Sequence, residues 1–317
     1  MKDSPTIFFI VGGLDTGGGE RHLTWLLPGL IREGFRPVVC TLTNKGTQGP
    51  LLEAAGVCVK APPFAEILRP FRSAIPRCVR VITLLPITLI WLSWQLVVHR
   101  PRIVHSFLTM GIWVGGLLSV IWRIPLRIAS RRSLNQYLRE SRLARSYECR
   151  LLRYMTVVLA NSYAVMRQLR DEENVPIDKL GLIFNGIPLP APVSQKGKTQ
   201  ARELLGLLDD AVVLSIVANL SPHKGHRDLI SAMADIHPQL PAGWQLLIVG
   251  RDDGERESLI CQIKKAGITK NVRFLGECDK VPMILSAADV GLLCSHREAF
   301  SNAILEGMAA GLPMIVT

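Results

Sequence analysis

Two acids near the end of the chain, Glu298 and Glu306, stand in "HREAFSNAILEGMAAG" (296–311) with seven uncharged residues between them. Ser301 reads as a helix N-cap, Asn302 to Ala310 as a helix, Gly311 as its C-cap and Pro313 as the stop. Glu298 then lies in the loop before the helix, and Glu306 about one and a half turns into it. Two carboxylates so placed can accept hydrogen bonds from hydroxyls at two separated points of one ligand. Between them Ala299, Phe300 and Ser301 lead into a helix start that offers unpaired N–H groups and a partial positive charge. A ligand with hydroxyls at each end and a diphosphate in the middle fits, and a nucleotide-sugar is such a ligand. The plainer alternative, a solvated loop acid and a helix-surface acid, is weighed by the neighbours.

Two other stretches point at phosphate. "VGGLDTGGGERHL" (11–23) is a glycine-rich turn between a strand and a helix, which lets backbone approach a ligand. It also reads as a tight turn that needs positive φ. "VANLSPHKGHRDLI" (217–230) repeats strand, loop and helix, with Lys224 where a phosphate would meet the helix dipole. A lysine there also reads as a solvated surface charge. His223 and His226 have no third ligand nearby in sequence, so loop histidines are the better reading than a metal site.

Several chemistries are disfavoured by what the sequence does not contain. The dinucleotide fingerprint G-x-G-x-x-G and the Walker A pattern do not occur. D-x-D, which holds a metal against a nucleotide diphosphate, is absent, and so are H-E-x-x-H and G-x-S-x-G. The simplest zinc-hydrolase and serine-hydrolase readings are thereby removed. The seven cysteines are scattered without C-x-x-C, which fits a reducing, cytoplasmic setting.

These residues must be held by something with strands and helices in alternation. Short apolar runs at 6–11, 36–42, 102–107, 125–130, 156–161 and 180–184 read as strands. After a Pro-rich, polar break at 185–200 come further runs at 211–217, 244–250, 271–276, 289–294 and 313–317. Near-continuous Val/Ile/Leu strands separated by helices indicate parallel sheets covered on both faces. The expectation is an α/β chain of two doubly wound domains, 1–190 and 191–317. Open parallel sheets bind ligands at the carboxyl ends of their strands, so two facing sheets would make a cleft.

The formal charge of +11 is uneven. Residues 60–153 carry 16 Lys and Arg against three acids, a net of +13, which leaves −2 for the rest. No nucleic-acid-binding module accompanies this block, so no nucleic acid is expected. It does contain "VITLLPITLIWLSWQLVV" (81–98), 18 residues without a charge, which makes an anionic membrane surface the better partner. Three readings of that run stay open: a transmembrane helix, a buried helix, or a helix dipping into a membrane surface. A span would put the strands before and after it on opposite sides, so the first sheet could not close. Trp91, Trp94 and the flanking arginines favour the interfacial reading over the buried one.

"EAFSNAILE" resembles the E-x7-E motif of retaining glycosyltransferases of the GT-B fold, in glycosyltransferase family 4. The resemblance extends in order along most of the chain: "GGGE" (17–20), "RPRIVHSF" (100–107), "ANSYAVMRQL" (160–169), "LGLIFNGI" (180–187), "VANLSPHKGHRDLI" and "LLIVGRDDGERESL" (246–259). It implies a GT-B pair of Rossmann-like domains, the first on the acceptor side and the second binding the donor. It also implies that Glu298 contacts the donor sugar, Glu306 the ribose and Lys224 the pyrophosphate, with Gly18 and Gly19 approaching the diphosphate. Transfer in the family is metal-independent with retention, so the resemblance implies no metal or other cofactor. Asn219 stands where the family often has an arginine, a loss for which Arg251 could compensate. The family also continues past "GLPMIVT" (311–317), so the second domain is expected to be C-terminally incomplete.

The resulting expectation is a transferase moving sugar from a nucleotide-diphosphate donor to a lipid-linked or surface-polysaccharide acceptor at the cytoplasmic membrane face. His105, Arg131 and Arg132 are candidates for the acceptor side, with core or lipid-facing roles as alternatives. The rival readings are an inactive homologue that binds nucleotide or membrane without transfer, and an NAD(P)-dependent oxidoreductase, which the missing fingerprint disfavours.

Overall fold

The computed structural model describes residues 4–15, 17–64, 77–134, 141–190 and 194–317, with side chains described from residue 84 onward in the helix that opens at Arg77. The chain divides into two compact units, Met1–Gly186 and Ile187–Thr317.

The first unit is built on a seven-stranded sheet of β1 (Thr6–Val11), β2 (Arg36–Thr41), β3 (Cys58–Lys60), β4 (Ile103–Phe107), β5 (Leu126–Arg131), β6 (Val157–Ala160) and β7 (Leu180–Leu182). The order is β3-β2-β1-β4-β5-β6-β7, and every pairing is parallel. β1 is an interior strand, and its residues Ile7 to Val11 are all buried, as a strand covered on both faces requires. Alternation sends Ile7, Phe9 and Val11 to one face, where Leu23 and Leu27 of the Gly18–Arg32 helix cover them. Phe8 and Ile10 go to the other, under Leu92 and Leu96 of the Arg77–His99 helix and Leu118 of the Leu117–Ile121 helix.

The second unit has five parallel strands, β8 (Val213–Val217), β9 (Gln245–Val249), β10 (Val272–Gly276), β11 (Val290–Leu293) and β12 (Met314–Val316), in the order β10-β9-β8-β11-β12. One face packs the His226–Ile236 and Arg256–Lys265 helices through Leu229, Ile230, Leu259 and Ile263. The other packs Ala201 of the Gln195–Leu205 helix and Ile284 and Leu285 of the Val281–Ala287 helix. Local signals fix the Gln195–Leu205 helix: Ser194 Oγ accepts from Gly197 N at 3.1 Å, and Gly206 closes it in the left-handed region.

The apolar run 81–98 lies within one helix, Arg77–His99, with Thr88, Leu92 and Leu96 buried. Among the described residues no helix is long and apolar enough to cross a membrane.

Candidate functional site

In both sheets the chain order reverses direction at one place, between β1 and β4 in the first and between β8 and β11 in the second. At such a point the loops leaving two neighbouring strands part to opposite faces and open a crevice at the strand carboxyl ends. In the second unit the loop after β8 carries Asn219 to Gly225, and the loop after β11 carries Cys294 to Ser301. Lys224 and Glu298 are therefore brought to the same crevice from positions 74 residues apart.

The two loops are stitched together. Lys224 Nζ donates to Glu298 Oε1, and Ser295 Oγ donates to the same oxygen at 2.9 Å. His296 N donates to the His223 carbonyl at 2.9 Å. His296 Nε2 and Asp228 Oδ2 lie 2.5 Å apart, joining the loop after β11 to the first turn of the His226–Ile236 helix. Gly225 has φ +68°, and a Cβ there would fall 1.8 Å from the Cys294 carbonyl oxygen. Only glycine permits this approach. Lys224 and Glu298 are each about a quarter exposed, at 22% and 27%, so the pair is open to a ligand yet partly shielded from water.

Behind Lys224 the His226–Ile236 helix presents its N-terminus, capped by Gly225 without a side-chain bond. His226 is buried there, and burial, helped by the Lys224 cation, lowers its pKa to about 4, so the imidazole is neutral. The helix start thus adds dipole and N–H donors to the lysine charge without a further titrating cation. Asn219 Oδ1 accepts from Arg251 N at 3.2 Å and ties the loops after β8 and β9 together. The Arg251 guanidinium is paired with Asp253 Oδ1 at 2.8 Å, so its charge is already partly neutralised.

Glu306 is half-buried on the Asn302–Ala309 helix. Ser301 is the N-cap residue by backbone geometry, but its side chain makes no capping bond, and the helix ends at Ala309 with Ala310 as C-cap. Gly311, at φ +80°, follows the cap instead of forming it. Ser301 therefore supplies no side-chain oxygen to the first turn of this helix. Ala299 and Phe300 are half-buried in the approach to this turn.

In the first unit Gly18 and Gly19 open the Gly18–Arg32 helix after the extended Gly17. Leu108, which leaves β4 at φ +63°, presses on this turn: a Cβ on Gly19 would lie 2.8 Å from Leu108 Cδ2. A bulky residue in that region is strained, and such strain gathers where a backbone is held for a purpose.

The same unit contains a cavity of about 310 Å³, lined by Phe9, His22, His105, Phe107, Arg132 and Asn161 among others. His105 Nε2 lies 2.6 Å from Ser130 Oγ, and burial, with Arg132 nearby, lowers its pKa to about 3. His22, on the Gly18–Arg32 helix, is likewise lowered to about 4 by burial and then by Arg132. Arg132 sits 5.1 Å over the Phe107 ring and donates to Asn185 Oδ1. Burial lowers its pKa to about 10, so it remains a cation. Two neutral imidazoles and one guanidinium therefore share the cavity wall.

Arg131 has a different position. Alternation along β5 turns it to the opposite face, where it is 1% exposed and bound by two carboxylates. Its guanidinium donates to both Glu173 oxygens at 3.0 Å and to Glu148 Oε1, while Trp113 Nε1 donates to Glu148 Oε2 at 2.6 Å. This is a buried triad, the core role named beside the acceptor-side reading of Arg131, which also borders the cavity. Sequence reasoning also overlooked Ser295, Asp228, His22 and Asn185. Ser295 could have been suspected from its place three residues before Glu298, whereas the others meet their partners only through the fold. Among the described residues no group of three or more His, Cys, Asp or Glu is placed to hold a metal ion.

Comparison with known proteins bears on the family and the fold. Residues 16–189 match the family model for glycosyltransferase family 4, and residues 198–317 match that for glycosyl transferases group 1. The D-inositol 3-phosphate glycosyltransferase of Corynebacterium glutamicum is 26% identical over 328 aligned positions, covering 95% of this chain and 75% of that protein. The N-acetyl-alpha-D-glucosaminyl L-malate synthase of Bacillus anthracis is 34% identical, over 39% of this chain and 32% of that one. The chain spans 54% of the corresponding Corynebacterium efficiens inositol-phosphate enzyme. Among solved structures, Anabaena Alr3699/HepE in complex with UDP and glucose superposes with a TM-score of 0.81 at 23% identity, covering 98% of this chain and 80% of that chain. WaaG, a glycosyltransferase of lipopolysaccharide biosynthesis, gives 0.71 at 15%, with coverage of 98% and 80%. The fold is GT-B, and the chain belongs to glycosyltransferase family 4.

Proposed function

We propose that this protein is a retaining glycosyltransferase that takes its sugar from a nucleoside-diphosphate donor held at the β8/β11 crevice. One observation carries the reading: Lys224 and Glu298 come from separate loops to form a single cation–carboxylate pair at the point where a doubly wound sheet binds ligands. A donor diphosphate entering beside the helix N-terminus would draw Lys224 towards its oxygens. Glu298, released from that bond but still steadied by Ser295, would accept from sugar hydroxyls. Glu306 would take the ribose hydroxyls, and the positive end of the Asn302–Ala309 helix would face the remaining phosphate charge.

Charge grows on the departing diphosphate as the glycosidic bond breaks. Lys224 and the two helix starts are positioned before the reaction to stabilise it, the kind of preorganised electrostatics that dominates many enzymes' rate enhancement. The leaving phosphate takes the acceptor's proton. Lys224 supplies the positive charge a metal would otherwise bring, so transfer is metal-independent in this reading.

The acceptor we propose is lipid-linked or a surface polysaccharide, taken at the cytoplasmic face of a membrane. A small anionic acceptor is the second reading. It is supported by the Arg132 cation in the cavity wall and by the names of the inositol-phosphate and malate relatives. HepE was seen with UDP-glucose, so uridine donors are the first to assay. Labelled-donor transfer by wild type and by Glu298→Gln tests the reading: turnover should collapse in the variant with the fold intact. Unchanged transfer would remove Glu298 from the mechanism.

A further inference from the structure

We infer that the outer face of the Arg77–His99 helix, together with Ile121 and Trp122, docks on an anionic lipid bilayer. The inference rests on the membrane-face reading above for its biological sense, but its physical basis is separate. The helix turns Thr88, Leu92 and Leu96 into the core. Its opposite face should then be polar, as on an ordinary surface helix. Instead it exposes Ile87, Ile90 at 70%, Trp94 at 64% and Val98 at 52%. Their spacing of three, four and four residues makes one continuous stripe. The Leu117–Ile121 helix rests on the same core cluster through Leu118, and at its end Ile121 and the C-cap Trp122 are also exposed.

The charge around this stripe selects the partner. Between Glu66 and Glu140 the chain carries eleven arginines and no acid. Arg100, Arg102 and Arg123 are exposed at the ends of the two helices. At the carboxyl end of the Arg77–His99 helix, Lys60 Nζ donates to Gln95 Oε1 at 2.9 Å and lies 2.6 Å from His99 Nε2. An aliphatic and tryptophan stripe bordered by cations matches the layering of a bilayer surface, where acyl chains lie beneath anionic headgroups. A second copy of the chain is a poorer match. A two-fold contact through this face would bring Arg100, Arg102 and Arg123 against their own equivalents, with no acid on that stretch to pair them. Nucleic acid would engage the arginines but leave the stripe in water.

The test is co-sedimentation of the full chain with vesicles of phosphatidylcholine alone or mixed with phosphatidylglycerol. Wild type should prefer the phosphatidylglycerol vesicles by about tenfold or more, with the preference lost between ~0.1 M and ~1 M salt. The double variant Ile90→Ser with Trp94→Ser should bind at least about tenfold more weakly while melting as wild type does, because both side chains are exposed. Leu204→Ser, an equally exposed apolar residue in the second unit, should bind as wild type. Wild type ignoring anionic vesicles, or the double variant binding undiminished, would overturn the inference. So would lipid-free self-association of wild type that the double variant abolishes, since the face would then belong to a second copy. Donor titration in lipid-free buffer is read separately: donor binding without vesicle binding overturns the docking face alone, and the reverse overturns only the donor-site reading.

Discussion

Replacing Gly225 by alanine probes the contact that holds Lys224 beside Glu298. Two costs add. The residue sits at φ +68°, where an L side chain costs about 1–2 kcal/mol. The new Cβ would also lie 1.8 Å from the Cys294 carbonyl oxygen, so the loops after β8 and β11 must separate by more than about 1 Å to regain ordinary van der Waals contact. That movement breaks the His296 N to His223 carbonyl bond, worth about 1 kcal/mol, and parts the Lys224–Glu298 pair. The two quantified costs sum to about 2–3 kcal/mol. Gly206 supplies the control, because it has φ +60° but nothing within 4 Å of its Cβ position. Gly206→Ala should therefore show the backbone cost alone, about 1–2 kcal/mol. Urea unfolding of both variants gives the difference, and titration with nucleotide-sugars gives the consequence. Donor affinity should fall by about tenfold or more in Gly225→Ala, the equivalent of one lost charge-assisted contact, and stay unchanged in Gly206→Ala. Equal stability and equal donor affinity in the two variants would show that the loop contact does not hold the site.

Three further outcomes follow from other parts of the molecule. Arg131→Met should destabilise the first unit by about 3–5 kcal/mol, since it leaves Glu148 and Glu173 buried without their cation; a urea midpoint near wild type would contradict the triad. His22 and His105 are held near 4 and 3 in the fold against about 6.5 when unfolded. The unfolded chain therefore takes up protons first, so this stabilisation is full above about pH 6.5 and falls with pH by about 1.4 kcal/mol per unit for each histidine. His105→Gln should remove one such share from the slope of stability between about pH 6 and about pH 4, and an unchanged slope would refute the buried neutral assignment. Lys224→Ala should weaken nucleoside-diphosphate binding by about tenfold or more and reduce its salt dependence, whereas unaltered affinity would move the phosphate site elsewhere.

Much of this architecture is legible in the sequence because parallel strands buried on both faces must be apolar almost throughout. "TIFFIV" is β1 residue for residue, and the other long runs lie within one or two residues of their strands. β3 was missed, since Cys58–Lys60 is three residues long with only Val59 buried. That is too short to leave a period. Lys224 and Glu298 could be picked out singly, as a loop lysine before a helix and a loop acid before another. Their pairing could not, because it depends on β8 and β11 being neighbours, a property of the sheet order. The same limit explains Arg131. Its charge suggests a ligand until β5 is paired and alternation turns it towards Glu148 and Glu173. The run 81–98 illustrates a third limit: composition reports how apolar a helix is, but burial alone shows that Leu92 and Leu96 face inward while Ile90 and Trp94 do not.

The most direct test of the donor site is titration calorimetry of the folded chain with uridine, guanosine and adenosine diphosphosugars, repeated for Lys224→Ala and Glu298→Gln. One donor should release heat on binding wild type, with its affinity lowered about tenfold or more by either substitution. No heat with any donor, or a donor bound equally well by all three proteins, would show that the Lys224–Glu298 crevice is not where an activated sugar is held.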